Sequence, residues 1–307
     1  MSENRPKILI VDIMFLLKEQ MERLEQLGEV EEIFKTKNDI APESYFQKCL
    51  EADVICAYKT FIDYKRLYEL HDVLISIPFG KPDFWNRLDI DRLNERNITI
   101  KHTRRRYKEA LVEWIIYMML TLSRGIKEKI RTEEDDIFKN LATGYSLAGK
   151  NVTILGKGVI GTALKPVCDS LKMNVNYYTR DSDLLECVKD ADFVVNCLGV
   201  DAKSGFLDKN FFNALKKGSY FIYVASPRIY DHNALFEALD DGTLMGAADD
   251  VASAKIGDTG GQMYKKLLEN PKVLITPHIA WRTDFESEKS YDPMIDEIEL
   301  YLDEKNF

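Results

Sequence analysis

The chain has 307 residues, 45% of them hydrophobic and 30% charged, with a formal net charge of −9. That length exceeds one ordinary core and fits two domains, and the composition is that of a globular chain rather than a disordered one. The acidic balance repels phosphate backbones and argues against general nucleic-acid binding. No run approaches the roughly 20 apolar residues that a membrane helix needs.

Residues 7–11 form a short apolar run ending at Asp12, as a first strand does. The run is too short for the core of a secretory leader. Residues 19–27 have helical spacing and stop at Gly28. A strand is expected at 30–34, then a helix at 42–50 with Pro42 at its start. Further strands are expected at 53–57, 73–77 and 97–100. Strands alternating with helices predict a parallel sheet covered on both faces. A long helix is expected at 109–129. Its apolar residues Leu111, Trp114, Ile115, Tyr117, Met118 and Leu122 lie on nearly every side, which marks a central helix or an oligomer interface. Residues 131–146 are charged and polar and read as an exposed helix and loop.

The second half opens with a strand at 151–155, followed at once by Gly156-Lys157-Gly158-Val159-Ile160-Gly161 and a helix at 162–171 that contains Pro166. Strands are then expected at 174–178, 193–198, 220–224, 244–247 and 273–276, with helices at 211–215 and 233–238. The five cysteines, Cys49, Cys56, Cys168, Cys187 and Cys197, form no CxxC pair. Reduced, mostly buried thiols in a cytoplasmic protein are the expectation. No HxH, HExxH or Cys/His spacing occurs, so no metal site is expected, and no GxSxG elbow is present.

GxGxxG gains meaning from its place between a strand and a helix. The first glycine permits a tight turn, the second leaves room for a pyrophosphate, and the third lets helix and strand pack closely. The helix start then offers free N–H groups and a positive dipole end to phosphates. A dinucleotide is therefore expected on Gly156, Gly158, Val159, Ile160 and Gly161. An acid at the end of the next strand holds the ribose in NAD proteins. Here that place reads Tyr178-Thr179-Arg180. Arg180 suits a 2′-phosphate, so NADP(H) is preferred and NAD(H) stays open, with Asp181 or Asp183 as the alternative ribose ligand.

The segments Leu147-Ala148-Gly149-Lys150, Gly246-Ala247-Ala248-Asp249-Asp250-Val251 and Thr276-Pro277-His278-Ile279-Ala280 occur in the order found in one family. In them the chain resembles the D-isomer-specific 2-hydroxyacid dehydrogenases, well over the cofactor domain and loosely elsewhere. The resemblance implies an α/β fold in which a Rossmann NAD(P)-binding domain, residues 103–282, is inserted in a flavodoxin-like outer domain, residues 1–102 plus 283–307. It also implies a homodimer. The implied activity is hydride transfer between a nicotinamide coenzyme and a 2-keto acid or D-2-hydroxy acid, a small anionic substrate.

The resemblance places His278 as general acid/base and adds Thr179, Leu198, Gly199, Val224, Ala225, Ser226 and Asp250 to the coenzyme site. Asp250 stands where the family keeps an aspartate near the nicotinamide amide. The family's substrate-gripping arginine position holds Ser226, and Arg228 follows it closely. The position of the acid that partners the histidine holds Lys255, and Asp258 is the nearest substitute. The outer-domain substrate loop keeps Gly80 beside Phe79. The resemblance places the basic run containing Arg104 and Arg105 on the segment that crosses between the domains, where it either holds an anion or is a solvated charged turn. The alternative to an enzyme is a dinucleotide-binding sensor or partner-binding protein on the same fold, which the displaced arginine and missing acid favour.

Overall fold

The computed structural model describes residues 5–12, 14–33, 42–57, 66–78, 87–103, 108–126, 144–199, 202–225, 228–251 and 261–307. The chain divides into two compact units: Met1–Arg106 with Arg282–Phe307, and Tyr107–Trp281.

The first unit holds β1 (Lys7–Ile10), α1 (Lys18–Leu27), β2 (Glu29–Glu32), α2 (Pro42–Leu50), β3 (Val54–Cys56), β4 (Val73–Ile77), α3 (Ile90–Glu95) and β5 (Ile98–His102). Its strands pair in parallel in the order β2-β1-β3-β4-β5. Every residue of β3 and β4 is buried. A parallel strand covered on both faces has no polar side to show, so it reads as a continuous apolar run. Edge strand β2 carries Glu29, Glu31 and Glu32 instead, and charge at an edge discourages pairing with another chain.

In the second unit α4 (Lys108–Arg124) precedes β6 (Asn151–Leu155), α5 (Val159–Ser170), β7 (Asn174–Tyr178), α6 (Leu184–Val188) and β8 (Phe193–Asn196). Then come α7 (Lys209–Asn213), β9 (Ser219–Tyr223), α8 (His232–Asp240), β10 (Leu244–Asp249), α9 (Gln262–Glu269) and β11 (Val273–Ile275). All six strands are parallel, in the order β11-β10-β9-β8-β6-β7. The alternating side chains build two cores. Val152, Ile154, Val195 and Ile222 pack with α4 and α5, while Leu155, Val194, Phe221 and Tyr223 pack with α7, α8 and α9. Burying one such aromatic or aliphatic side chain stabilises the fold by about 1.5–3 kcal/mol.

α10 (Asp284–Lys305) returns the chain to the first unit. There it packs against α1 and β4.

Several boundaries differ from the sequence expectation. The long helix stops at Arg124 rather than near 129, because Gly125 takes φ +58, a left-handed cap that glycine enters without penalty. Of its apolar residues, Leu111, Trp114, Ile115 and Met118 are buried within this unit, Leu122 is half-buried and Tyr117 is exposed. α5 begins at Val159 instead of Thr162, inside the glycine motif, because Gly158 is its N-cap. β10 runs on to Asp249, past the expected end at Ala247, since its pairing with β9 and β11 continues to that residue. The helices at 184–188, 262–269 and 284–305 had no sequence expectation. Residues 131–143, expected as helix and loop, lie outside the described residues.

Candidate active site

A parallel sheet gathers the carboxyl ends of its strands on one edge. In the second unit that edge bears the turn after β6, Thr179 and Arg180 after β7, Leu198 and Gly199 after β8, and Val224 and Ala225 after β9. Asp250 follows β10, and His278 follows β11. β6 pairs with both β7 and β8, so the strand order reverses there. Such a switch point is where open α/β sheets bind ligands.

The three glycines after β6 do different things. Gly156 has φ +101, and a Cβ there would sit 3.1 Å from the Cys197 carbonyl oxygen. A Cβ on Gly161 would sit 2.2 Å from the Gly156 carbonyl oxygen, so helix and turn touch backbone to backbone. A Cβ on Gly158 would meet nothing within 4 Å. No side chain caps the helix that starts there, and its first-turn N–H groups lack intrahelical acceptors. The open space and the uncapped donors fit a diphosphate. Lys157 is exposed, with Nζ 5.6 Å from the centre of the Tyr177 ring, and the Tyr177 hydroxyl donates to the Gly161 carbonyl at 2.9 Å. Desolvation pushes the thiol of half-buried Cys197, beside the turn, up to about 12.

After β7 the Ser182 N–H donates to the Thr179 carbonyl at 3.0 Å, closing a β-turn. The Thr179 and Ser182 hydroxyls lie 3.0 Å apart. Arg180 is exposed in that turn and has no partner among the described residues. Asp183 caps α6, its carboxylate accepting from the Leu185 and Glu186 N–H groups. After β8 the Leu198 N–H donates to the Asn196 side-chain oxygen at 3.1 Å, and a Cβ on Gly199 would meet nothing within 4 Å. Val224 is buried and Ala225 half-buried.

His278 is half-buried and has φ +57, a left-handed conformation uncommon for a non-glycine residue. Its N–H donates to the Thr276 carbonyl at 2.9 Å across Pro277. Asp250 holds this turn. One carboxylate oxygen accepts from the Thr276 hydroxyl and from the Ile279 N–H at 2.9 Å, and the other accepts from the Ala280 N–H at 2.9 Å. Burial raises the Asp250 carboxyl above the usual aspartate range, and those hydrogen bonds offset it in part. Asp250, expected beside the nicotinamide amide, thus already spends both oxygens on the chain's own groups.

Arg228 has an exposed side chain with no partner among the described residues. Its carbonyl accepts from the Gly205 N–H at 2.8 Å and the Ser204 hydroxyl at 3.1 Å. Ser226, Asp258, Phe79, Gly80, Arg104 and Arg105 lie outside the described residues. Among the described residues no group of acids, histidines or cysteines could hold a metal ion. No helix among them is long and apolar enough to cross a membrane. The sequence expectation passed over Thr276 and the neighbouring Asp249. Thr276 stood in the quoted Thr-Pro-His run, where its hydroxyl was the available signal.

Residues 116–280, more than half of the chain, match the model for the D-isomer specific 2-hydroxyacid dehydrogenase, NAD binding domain. The chain belongs to this family. It is 28% identical over 219 residues to a D-lactate dehydrogenase of Staphylococcus aureus (strain MRSA252), an alignment spanning 64% of this chain and 66% of that protein. In fold it is similar to a Thermus thermophilus protein, with TM-score 0.80, 23% identity and 97% of each chain covered. It is also similar to the D-lactate dehydrogenase of Aquifex aeolicus solved with NAD and lactic acid, with TM-score 0.74, 19% identity, and 97% of this chain and 95% of that chain covered. At those identities the two structures show a shared fold.

Proposed function

We propose that this family member is an NAD(P)-dependent oxidoreductase interconverting a 2-keto acid and its D-2-hydroxy acid, with His278 as general acid/base. The observation that carries the reading is the turn at 156–161, where a tight first glycine and a close third glycine leave open space over Gly158. The coenzyme, when bound, supplies or accepts the hydride. The uncapped start of α5 holds the diphosphate through its N–H groups.

The His278 imidazole holds the proton that a keto oxygen needs during reduction and takes it back in the reverse direction. Arg228 offers a planar fork to the substrate carboxylate. NADP(H) is the preferred coenzyme, because Arg180 stands exposed with no partner among the described residues while Asp183 is committed to capping α6. Family membership supports a nicotinamide dinucleotide in general.

The test is a screen of pyruvate, glyoxylate, hydroxypyruvate and bulkier 2-keto acids, following loss of NADPH or NADH absorbance. Turnover is expected, and His278→Ala should lower it by about 10²–10⁴. Calorimetry that finds no affinity for either coenzyme overturns the reading. Tight coenzyme binding without turnover of any 2-keto acid replaces it with the sensor reading.

A further inference from the structure

β10 lies between β9 and β11 in the sheet, and it ends in two consecutive buried aspartates. Asp249 is 4% exposed and Asp250 is 1% exposed. A buried carboxylate is costlier than an apolar side chain unless its oxygens are occupied. Here they are occupied in opposite directions. One Asp249 oxygen faces the loop after β9, accepting from the Tyr230 hydroxyl at 2.8 Å, while the other accepts from the Val251 N–H at 2.7 Å, just past its own strand. Asp250 turns toward the loop after β11 through Thr276, Ile279 and Ala280.

Each of these loops carries one residue with chemistry to offer. Arg228 lies just upstream of Tyr230 on a stretch also tied to residues 204–207. The Leu207 N–H donates to the Ile229 carbonyl, and the Asp231 N–H to the Leu207 carbonyl, both at 2.9 Å. The Tyr230 ring is buried edge-on to Tyr223, centroids 4.7 Å apart, so its hydroxyl is delivered to Asp249 on a rigid arm. His278 stands in the middle of the turn that Asp250 grips, in a backbone conformation that persists only when its surroundings enforce it.

We propose that Asp249 and Asp250 are paired positioning residues. Asp249, through Tyr230, sets the loop of Arg228. Asp250, through Thr276 and the amides of Ile279 and Ala280, sets the turn of His278. Two neighbouring residues at the end of one strand thereby hold the substrate-binding and proton-transferring loops in register. This rests on the function proposed above.

The test uses the full chain with Tyr230→Phe, Thr276→Val and Thr276→Ser. Tyr230→Phe removes one hydroxyl and keeps the packed ring. It should raise KM for the 2-keto acid on the order of tenfold, with kcat and coenzyme Kd close to those of the parent. Thr276→Val should lower kcat on the order of tenfold, and Thr276→Ser should restore it. Amide hydrogen exchange should quicken in residues 228–231 for Tyr230→Phe only, and in residues 276–280 for Thr276→Val only.

A lower Tm with unchanged kcat and KM makes these contacts merely structural and overturns the proposal. So does unchanged exchange in both loops. If the parent chain turns over no 2-keto acid, the functional reading fails, and exchange alone then decides whether the two clamps exist.

Discussion

Each unit places a turn after the first strand of a parallel sheet, at the point where the strand order reverses, yet the two turns are built for opposite ends. After β6 the chain runs through three glycines into a helix whose start no side chain caps. After β1 the corresponding stretch is Met14-Phe15-Leu16-Leu17, and the backbone groups of Phe15 and Leu17 are spent internally. The Leu17 N–H donates to the Gln20 side-chain oxygen at 3.0 Å, and the Phe15 N–H donates to the Tyr291 hydroxyl at 3.1 Å. The Ser287 hydroxyl donates to the Phe15 carbonyl at 2.8 Å, and the Arg282 guanidinium sits 3.4 Å from the Phe15 ring centre. Equal topology offers a site in both places, and only the turn that leaves its donors unused is equipped for an anion.

The sharpest way to break this comparison is Gly161→Ala. Its Cβ would meet a backbone oxygen at 2.2 Å, so the second unit should lose about 3 kcal/mol or more, read as a fall in Tm or in soluble yield. Gly158→Ala should leave Tm near that of the parent, because its Cβ enters open space. Coenzyme affinity by calorimetry should nevertheless fall on the order of tenfold or more, since the methyl group takes the diphosphate's room. Equal binding by that variant would break the comparison outright. In the first unit Gln20→Ala should cost about 1–2 kcal/mol, because Gln20 also donates to the Ser287 carbonyl at 3.3 Å and to Asp292 at 2.9 Å. Its coenzyme Kd should not move.

Arg180→Ala should weaken NADPH binding by about tenfold and leave NADH binding nearly unchanged, which titration of both coenzymes would read. The smallest effect concerns His232. Burial lowers its pKa, with Asp231 opposing. The unfolded chain therefore takes up this proton first as pH falls, from about 6.5. The contribution is fully present above that value and is lost as pH falls toward the folded pKa. Tm should accordingly decline on acidification, and His232→Phe should flatten that part of the profile.

The glycine turn was legible because Gly156 and Gly161 answer steric demands that only glycine meets, and the turn containing His278 was legible through its neighbours in sequence. The burial of Asp249 was not. A charged residue at a strand end breaks the apolar pattern, so β10 was expected to stop at Ala247, and the partner that makes burial tolerable, Tyr230, lies on another loop. α10 was missed for a related reason. Tyr291, Met294, Ile295, Ile298, Tyr301 and Leu302 are buried on one helical face, but Pro293 and a dense run of acids obscure the spacing. Its first half buries Glu286, Ser287 and Ser290, polar residues that hydropathy assigns to solvent. Binary patterning finds surfaces made of carbon and overlooks those closed by hydrogen bonds.

The return of α10 to the sheet of β1 has a consequence for biosynthesis. Residues 107–281 are contiguous and contain every strand of their own sheet, so they can close as soon as they clear the ribosome. The segment translated before them must wait, with the faces of α1 and β4 that α10 covers left bare. The sheet of β1 is therefore closed only once the helix at 284–305 has been made, and until then it keeps an apolar surface bare.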